Sequence, residues 1–227
     1  MLKLAPSILA ADFAELGAAI RAVESAGAHY LHIDIMDGIF VPNISLGIPI
    51  IKSIRPITQM LFDVHLMIME PERYIKDFAL AGADIINVHT EACGDLKRAA
   101  AKIKVQGKKA AVTVKPATDI ECVYDALDKL DMVLIMSVEP GFGGQELMPE
   151  ALDKAARLAG YIARKNLNVD IEMDGGITHE NAEEVLRHGV NVIVAGSSIF
   201  RADDKAAAVT KYFDIFRKFE SMGGRTE

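Results

Sequence analysis

A short apolar run, a turn and an amphipathic helix follow one another eight times along this chain, and few folds accommodate that rhythm. The apolar runs fall at 2–9, 30–36, 60–67, 85–89, 109–114, 132–138, 169–174 and 192–195. Each is apolar enough to serve as a parallel strand covered on both faces. The helical stretches between them carry readable caps: Asp12 with Glu15 three later, Pro71 in a first turn, Thr118 with Glu121, and Thr178 opening a helix closed by Gly189. Eight such units predict a closed α/β barrel, the (β/α)8 TIM barrel; a doubly wound open sheet shows the same alternation and is the alternative. At 227 residues and 51% hydrophobic, with no low-complexity stretch or long linker, the chain is expected to form one barrel domain over 1–227.

A net charge of −7 without a clustered Lys/Arg stripe argues against nucleic acid or an anionic membrane as partner, leaving a small molecule. The first ten residues lack the basic and apolar regions of a leader, and no apolar run approaches the roughly 20 residues that span a bilayer. A soluble, cytoplasmic protein is expected. Cys93 and Cys122 stand far apart, outside any Cys-x-x-Cys or zinc-finger spacing, and read as buried, inert thiols.

If the fold is a barrel, its chemistry belongs at the carboxyl ends of the strands. Polar residues gather there without a packing reason: Ser7, His32, Asp34, Asp37, His65, His89 and Asp174. Because side chains alternate along a strand, His32, Asp34 and Met36 share a face, as do Asp63, His65 and Met67, and Glu172 and Asp174. With His32, Asp34, His65 and Asp174 turned into the barrel, two imidazoles and two carboxylates converge. That set suits one divalent metal ion, and zinc, iron(II), manganese and cobalt all accept such donors.

Such an ion polarises a carbonyl and stabilises an enediolate, bringing an inert C–H within reach of a carboxylate base. Two carboxylates on opposite faces of a planar enediolate, here Asp34 and Asp174, remove a proton on one side and return one on the other. A carbon is inverted without redox chemistry, so no organic cofactor is needed; no dinucleotide fingerprint follows the first strand.

Glycine-rich turns follow the last three strands: Gly141-Phe142-Gly143-Gly144, Gly175-Gly176 and Gly196-Ser197, the last opening a short helix near Ser197 to Phe200. Barrels bind phosphate at such loops through backbone N–H groups, so a phosphate monoester substrate is expected. Met36, Met67 and Met136 near strand ends are candidates to line the reacting face. His89, two residues before Glu91, reads as a hydrogen-bonding neighbour of the site; His29, His179 and His188 read as surface or loop residues. The Lys-rich stretch 97–109 reads as a solvated helix face, and nothing near Lys115 is arranged to make it a Schiff-base lysine.

Three segments, Pro6-Ser7-Ile8-Leu9-Ala10-Ala11-Asp12, His32-Ile33-Asp34-Ile35-Met36-Asp37-Gly38 with Phe40-Val41-Pro42-Asn43, and Asp63-Val64-His65-Leu66-Met67, resemble the ribulose-phosphate 3-epimerase family. Met136-Ser137-Val138-Glu139-Pro140-Gly141-Phe142-Gly143-Gly144-Gln145 and Asp174-Gly175-Gly176-Ile177 extend the resemblance, which runs from Pro6 to Phe200. It implies interconversion of D-ribulose 5-phosphate and D-xylulose 5-phosphate. It also implies metal ligands at His32, Asp34, His65 and Asp174, and acid and base at Asp34 and Asp174. Substrate contacts fall at Ser7 and His65, phosphate at Gly141 to Gly144, Gly175-Gly176 and Gly196-Ser197, with a closing lid after the sixth strand. Family members often assemble, so a homo-oligomer is expected. Glu139 departs from the Asn usual before Pro-Gly-Phe-Gly-Gly but matches no catalytic position.

The nearest rival is a sibling acting on a six-carbon ketose phosphate such as allulose 6-phosphate; intact Gly143-Gly144 and Gly175-Gly176 pairs favour the five-carbon substrate. A decarboxylase or aldolase on the same barrel needs a strand-end lysine where this chain has Asp34 and Met36. A non-catalytic binding protein requires the His/Asp cluster to be inert.

Overall fold

Period-two alternation of inward and outward residues closes into one parallel sheet. A computed structural model describes residues 1–224; the last three residues of the expected 1–227 domain lie outside the described residues. The strands are β1 (Lys3–Pro6), β2 (Tyr30–Met36), β3 (Leu61–Met67), β4 (Ile85–His89), β5 (Lys109–Val114), β6 (Met132–Met136), β7 (Asp170–Asp174) and β8 (Val192–Ala195). They form an 8-stranded sheet in the order β1-β8-β7-β6-β5-β4-β3-β2, every pair parallel. The remaining gap, between β1 and β2, is closed by a parallel bridge from Ser7 to His32 and by His29 N donating to Leu4 O at 3.1 Å. The fold is therefore the (β/α)8 barrel, and the doubly wound sheet is excluded.

Helices α1 (Leu16–Ser25), α2 (Ile48–Ile54), α3 (Ile75–Ala81), α4 (Leu96–Val105), α5 (Glu150–Lys165), α6 (Ala182–Arg187), α7 (Ser197–Phe200) and α8 (Lys205–Ser221) wrap the sheet. Between β5 and β6 the connection is a 3-10 run, Ile120–Lys129. Its cap is Asp119, accepting from Glu121 N at 3.2 Å, rather than Thr118, whose hydroxyl turns to donate to Glu91. Asp12 does cap, but a 3-10 turn that precedes α1; Thr178 initiates a turn, and α6 begins only at Ala182. Strand β1 stops at Pro6 because Ser7 Oγ accepts from Leu9 N at 3.4 Å and starts a 3-10 turn.

Outward residues such as Leu31, Ile33, Phe62, Val64, Leu66, Val88 and Val133 pack under the helices in the main core. Inward residues build the lumen in layers. A small apolar plug of Ala5, Tyr30, Ile85, Ala111, Met132, Val192 and Val194 fills its lower part. Above it sits a buried polar layer containing His32, Asp63, Asn87, Thr113 and Glu172, and above that the carboxyl ends of the strands. The plug supports the polar layer and excludes water from beneath.

The lower end of β3 and β4 is held by one side chain. Arg55 donates to Asp84 Oδ2 at 3.0 Å, to Thr58 O at 2.7 Å and to Met60 O at 2.8 Å. Its guanidinium lies 3.7 Å from the centre of the buried Phe62 ring. Gly82, at φ +120, leaves room for it: a Cβ there would stand 2.6 Å from Arg55 Cδ. Arg55→Lys keeps the charge but loses the fork and the stacking plane. It should lower unfolding free energy by about 1–3 kcal/mol in urea titrations, with the site's ligand binding unchanged.

Candidate active site

Strand alternation delivers the sequence-predicted cluster. β2 pairs with β3 so that His32 faces Asp63 and Asp34 faces His65 across the ladder, and β7 brings Asp174 beside Met136 of β6. One ligand-type atom from each of His32, Asp34, His65 and Asp174 lies within 4.8 Å of the others. His32 Nε2 is 3.2 Å from Asp34 Oδ1 and 3.9 Å from Asp174 Oδ2, and His65 Nδ1 is 3.2 Å from Asp34 Oδ1. Ser7 Oγ donates to the other Asp34 oxygen at 2.6 Å, so the residue that closes the barrel seam also orients this carboxylate.

The electrostatics follow from crowding four carboxyl groups around two imidazoles. Burial pulls His32 down, but Asp34 and Asp63 outweigh it and hold the ring well above its usual range. Burial pushes Asp34 up, but His32 and His65 outweigh that and hold it well below the usual carboxylate range. Asp174 has no such surplus: burial and the Asp34 charge push it up to about 6 against the two imidazoles. Glu172, wholly buried, is pushed well above its ordinary value by burial and by Asp63. Opposed environments for Asp34 and Asp174 are the arrangement in which one carboxyl serves as base and its neighbour as acid.

The donor set fits a divalent cation. His32 Nε2 is buried and makes no hydrogen bond, although it points at Asp34 and Asp174. A positive charge there would engage that lone nitrogen and offset the excess of carboxylate charge. Each imidazole is also held from behind: His32 Nδ1 meets Asp63 Oδ2 at 2.5 Å, and His65 Nε2 meets His89 Nε2 at 2.9 Å. Burial takes His89 down to about 4, against its bond to Glu91.

Above the cluster opens a cavity of about 510 Å³. Ser7, Asp34, Met36, Met67, Met136 and Asp174 form its floor and wall, and Gly141 to Gly144, Gly175, Gly176, Gly196 and Ser197 form its rim. His32 and His65 do not line it; they lie fully buried behind Asp34. Phe142 stands at the rim with 57% of its surface exposed. Asn43 Nδ2 ties the loop after β6 to the β2 side by donating to Gly141 O at 2.8 Å, and Gln145 Nε2 braces the loop internally by donating to Glu139 O at 2.7 Å and Phe142 O at 2.9 Å. Gly176 lies so close beneath its far end that a Cβ would come within 2.3 Å of Leu147 N.

A model of the ribulose-phosphate 3 epimerase family matches residues 3–200. The chain belongs to that family. The ribulose-phosphate 3-epimerase of Synechocystis sp. is 49% identical over 208 residues, covering 91% of this chain and 90% of that protein. That of Bacillus subtilis is 48% identical over 214 residues, covering 93% and 98%. Among solved structures, KGPDC from Streptococcus mutans matches with a TM-score of 0.73 at 15% identity, covering 96% and 98%. A 3-hexulose-6-phosphate synthase matches at 0.72 and 17%, covering 94% and 99%. These last two speak to the barrel alone.

Asp37 does not reach the cavity; it accepts from Ile39, Phe40 and Met69 N–H groups and staples two loops. His29 and His179 are half-buried structural residues: His29 Nδ1 accepts from Leu4 N at 3.2 Å, and His179 Nε2 donates to Ala208 O at 2.9 Å. Cys122 is exposed rather than buried, and Cys93 is partly so; burial raises both thiols, Cys93 to about 12. Lys115 Nζ sits 3.8 Å over the Phe40 ring, away from the cluster. Among the described residues, no helix is long and apolar enough to cross a membrane. Sequence reading assigned no role to Ser137, whose Oγ donates to Asp174 O at 2.9 Å and Gly175 O at 2.6 Å, or to Asn43.

Asp174, with a fifth of its side chain exposed, yields a stability test. Its folded value of about 6 lies above the ordinary 3.8, so the folded chain binds more protons across that window and loses stability as pH rises through it. Asp174→Asn, measured on metal-stripped protein, should match the parent near pH 4. It should exceed it above pH 7 by on the order of 1–3 kcal/mol.

Proposed function

We propose that the protein interconverts D-ribulose 5-phosphate and D-xylulose 5-phosphate by moving a proton off and onto C3, with Asp34 and Asp174 as the acid and base. The observation that carries this reading is the pair itself: two carboxyls beside one cluster of metal-type donors, both lining the cavity floor, in opposed electrostatic environments. Membership of the family supports it, as do the names of the relatives from Synechocystis sp. and Bacillus subtilis.

His32, Asp34, His65 and Asp174 would hold one divalent cation, with zinc or iron(II) best suited to two imidazoles and two carboxylates and manganese or cobalt next. When bound, that ion supplies positive charge for the substrate oxygen that becomes negative on deprotonation. The chain's own residues do the rest. One Asp takes the C3 proton from one face, and the other gives a proton to the opposite face of the planar enediolate. Ser7, bonded to Asp34, fixes which oxygen of that carboxylate points at the substrate. After one turnover the two carboxyls have exchanged protonation states, and the partly exposed Asp174 can reset through water.

Met36, Met67 and Met136 cover the reacting face with thioethers that neither donate nor titrate, so water is kept from the enediolate. None of the described residues lining the cavity is Lys or Arg. The phosphate is therefore assigned to backbone N–H groups around Gly176, Gly196 and Ser197, the mode that glycine's missing Cβ permits. The loop Gly141 to Gly144, with Phe142 at its tip, closes over the bound sugar.

In heavy water, the metal-loaded protein should convert ribulose 5-phosphate to xylulose 5-phosphate carrying deuterium at C3, followed by proton NMR. Absence of exchange at C3 with every metal tested overturns the mechanism. Exchange confined to allulose 6-phosphate would move the substrate to the six-carbon ketose. Asp34→Asn and Asp174→Asn should each lower turnover by about 10²–10⁴-fold with circular dichroism unchanged. Gly176→Ala, displacing the 145–147 segment, should raise KM for the sugar phosphate at least tenfold, whereas a wild-type KM would exclude that rim from phosphate binding.

A further inference from the structure

One chain of hydrogen bonds leads outward from the cluster. His65 Nε2 stands 2.9 Å from His89 Nε2, and His89 Nδ1 stands 3.1 Å from Glu91 Oε2. The two rings stack with centroids 5.0 Å apart at 25°. Both histidines are fully buried, while the Glu91 side chain keeps 23% of its surface exposed. Glu91 is anchored from the far side: its other oxygen accepts from Lys115 N at 2.9 Å and from the Thr118 hydroxyl. Phe40 lies against the His89 ring, centroids 4.6 Å apart.

Two ring nitrogens at hydrogen-bond distance share one proton, so one donates and the other accepts. The remaining nitrogen of His65, Nδ1, faces Asp34 Oδ1 at 3.2 Å and belongs to the cluster proposed to hold the cation. A neutral imidazole that offers Nδ1 as a lone pair keeps its proton on Nε2, and that proton can go only to His89 Nε2. His89 must then present a lone pair at Nε2 and a proton at Nδ1, which meets the Glu91 carboxylate. Each link fixes the next, and the whole chain has one direction.

We propose that His89 and Glu91 are positioning residues that hold His65 in the Nε2–H tautomer, so that its Nδ1 lone pair is presented to the metal. This rests on the reading that the four residues bind a divalent cation. The device differs from the one behind His32, where Asp63 meets the ring directly and the metal-facing nitrogen is Nε2. Glu91 thus acts on the site through an intervening ring, from the loop after β4.

The decisive readout is the tautomer of each ring in the zinc-loaded protein, by long-range 15N–1H NMR, together with zinc affinity by chelator competition. Expected are a bare Nε2 and protonated Nδ1 on His89, with the proton of His65 on Nε2. Zinc affinity should fall about 10–100-fold in His89→Leu and about tenfold in Glu91→Ala, the range for losing a partner behind a ligand. Glu91→Gln, which keeps an acceptor oxygen for His89 Nδ1–H, should recover most of that loss, a rescue that simple packing damage would not show. A proton on His89 Nε2, or unchanged zinc affinity in folded Glu91→Ala, overturns the relay while leaving the metal site standing. A wild-type protein that binds no zinc, manganese, cobalt or iron(II) overturns the metal reading and the relay with it. The tautomer measurement needs no variant, so instability of His89→Leu does not blunt the test.

Discussion

The 2.5 Å contact between His32 Nδ1 and Asp63 Oδ2 joins β2 to β3 inside the lumen, and the geometry above depends on it. It turns the His32 ring so that Nε2 points up at Asp34 and Asp174 without a hydrogen bond of its own. It also places a buried carboxylate beneath the site, which raises the local negative charge and presses Glu172 toward its neutral form. Burying charge at this density costs several kcal/mol per group unless it is compensated. Compensation comes from the imidazoles and, when bound, from a cation. The same excess that disfavours the fold by itself is one that a cation at this cluster would offset.

The barrel makes that arrangement affordable by dividing labour between layers. Outward residues and helices supply apolar burial, the lower plug excludes water from below, and the upper lumen is free to hold groups that would be intolerable in an ordinary core. Even the seam is used: the bridge that completes the sheet runs through Ser7 and His32, both of which touch Asp34. Six glycines, Gly141, Gly143, Gly144, Gly175, Gly176 and Gly196, line the rim. Gly176 is obligatory at φ +65 under the 145–147 segment, and Ser137 holds the carbonyls of Asp174 and Gly175.

Much of this was legible in the chain itself. Eight largely apolar runs mark the strands, and β2, β4, β5 and β8 have the expected bounds, because their outward faces are apolar and a polar residue or glycine (Asp37, Thr90, Lys115, Gly196) follows each one. Period two placed His32 with Asp34, and Asp63 with His65, on shared inward faces. Runs 2–9 and 132–138 extend past β1 and β6, since the hydroxyls of Ser7 and Ser137 redirect the backbone in ways that hydrophobicity does not register. Thr118, with Glu121 three residues on, has the pattern of a cap, but its hydroxyl is drawn to the distant Glu91 and Asp119 caps instead, a choice that local sequence does not register.

By itself, then, the sequence determined the periodicity, the strand faces and the donor types that meet at the carboxyl ends, because these depend on spacing along one chain. The tertiary structure alone decided which nitrogen of each histidine faces the cluster, which carboxyl is raised and which lowered, and that Glu91 reaches His65 through His89. Those properties depend on distances between strands far apart in sequence, and on how completely water is excluded where they meet.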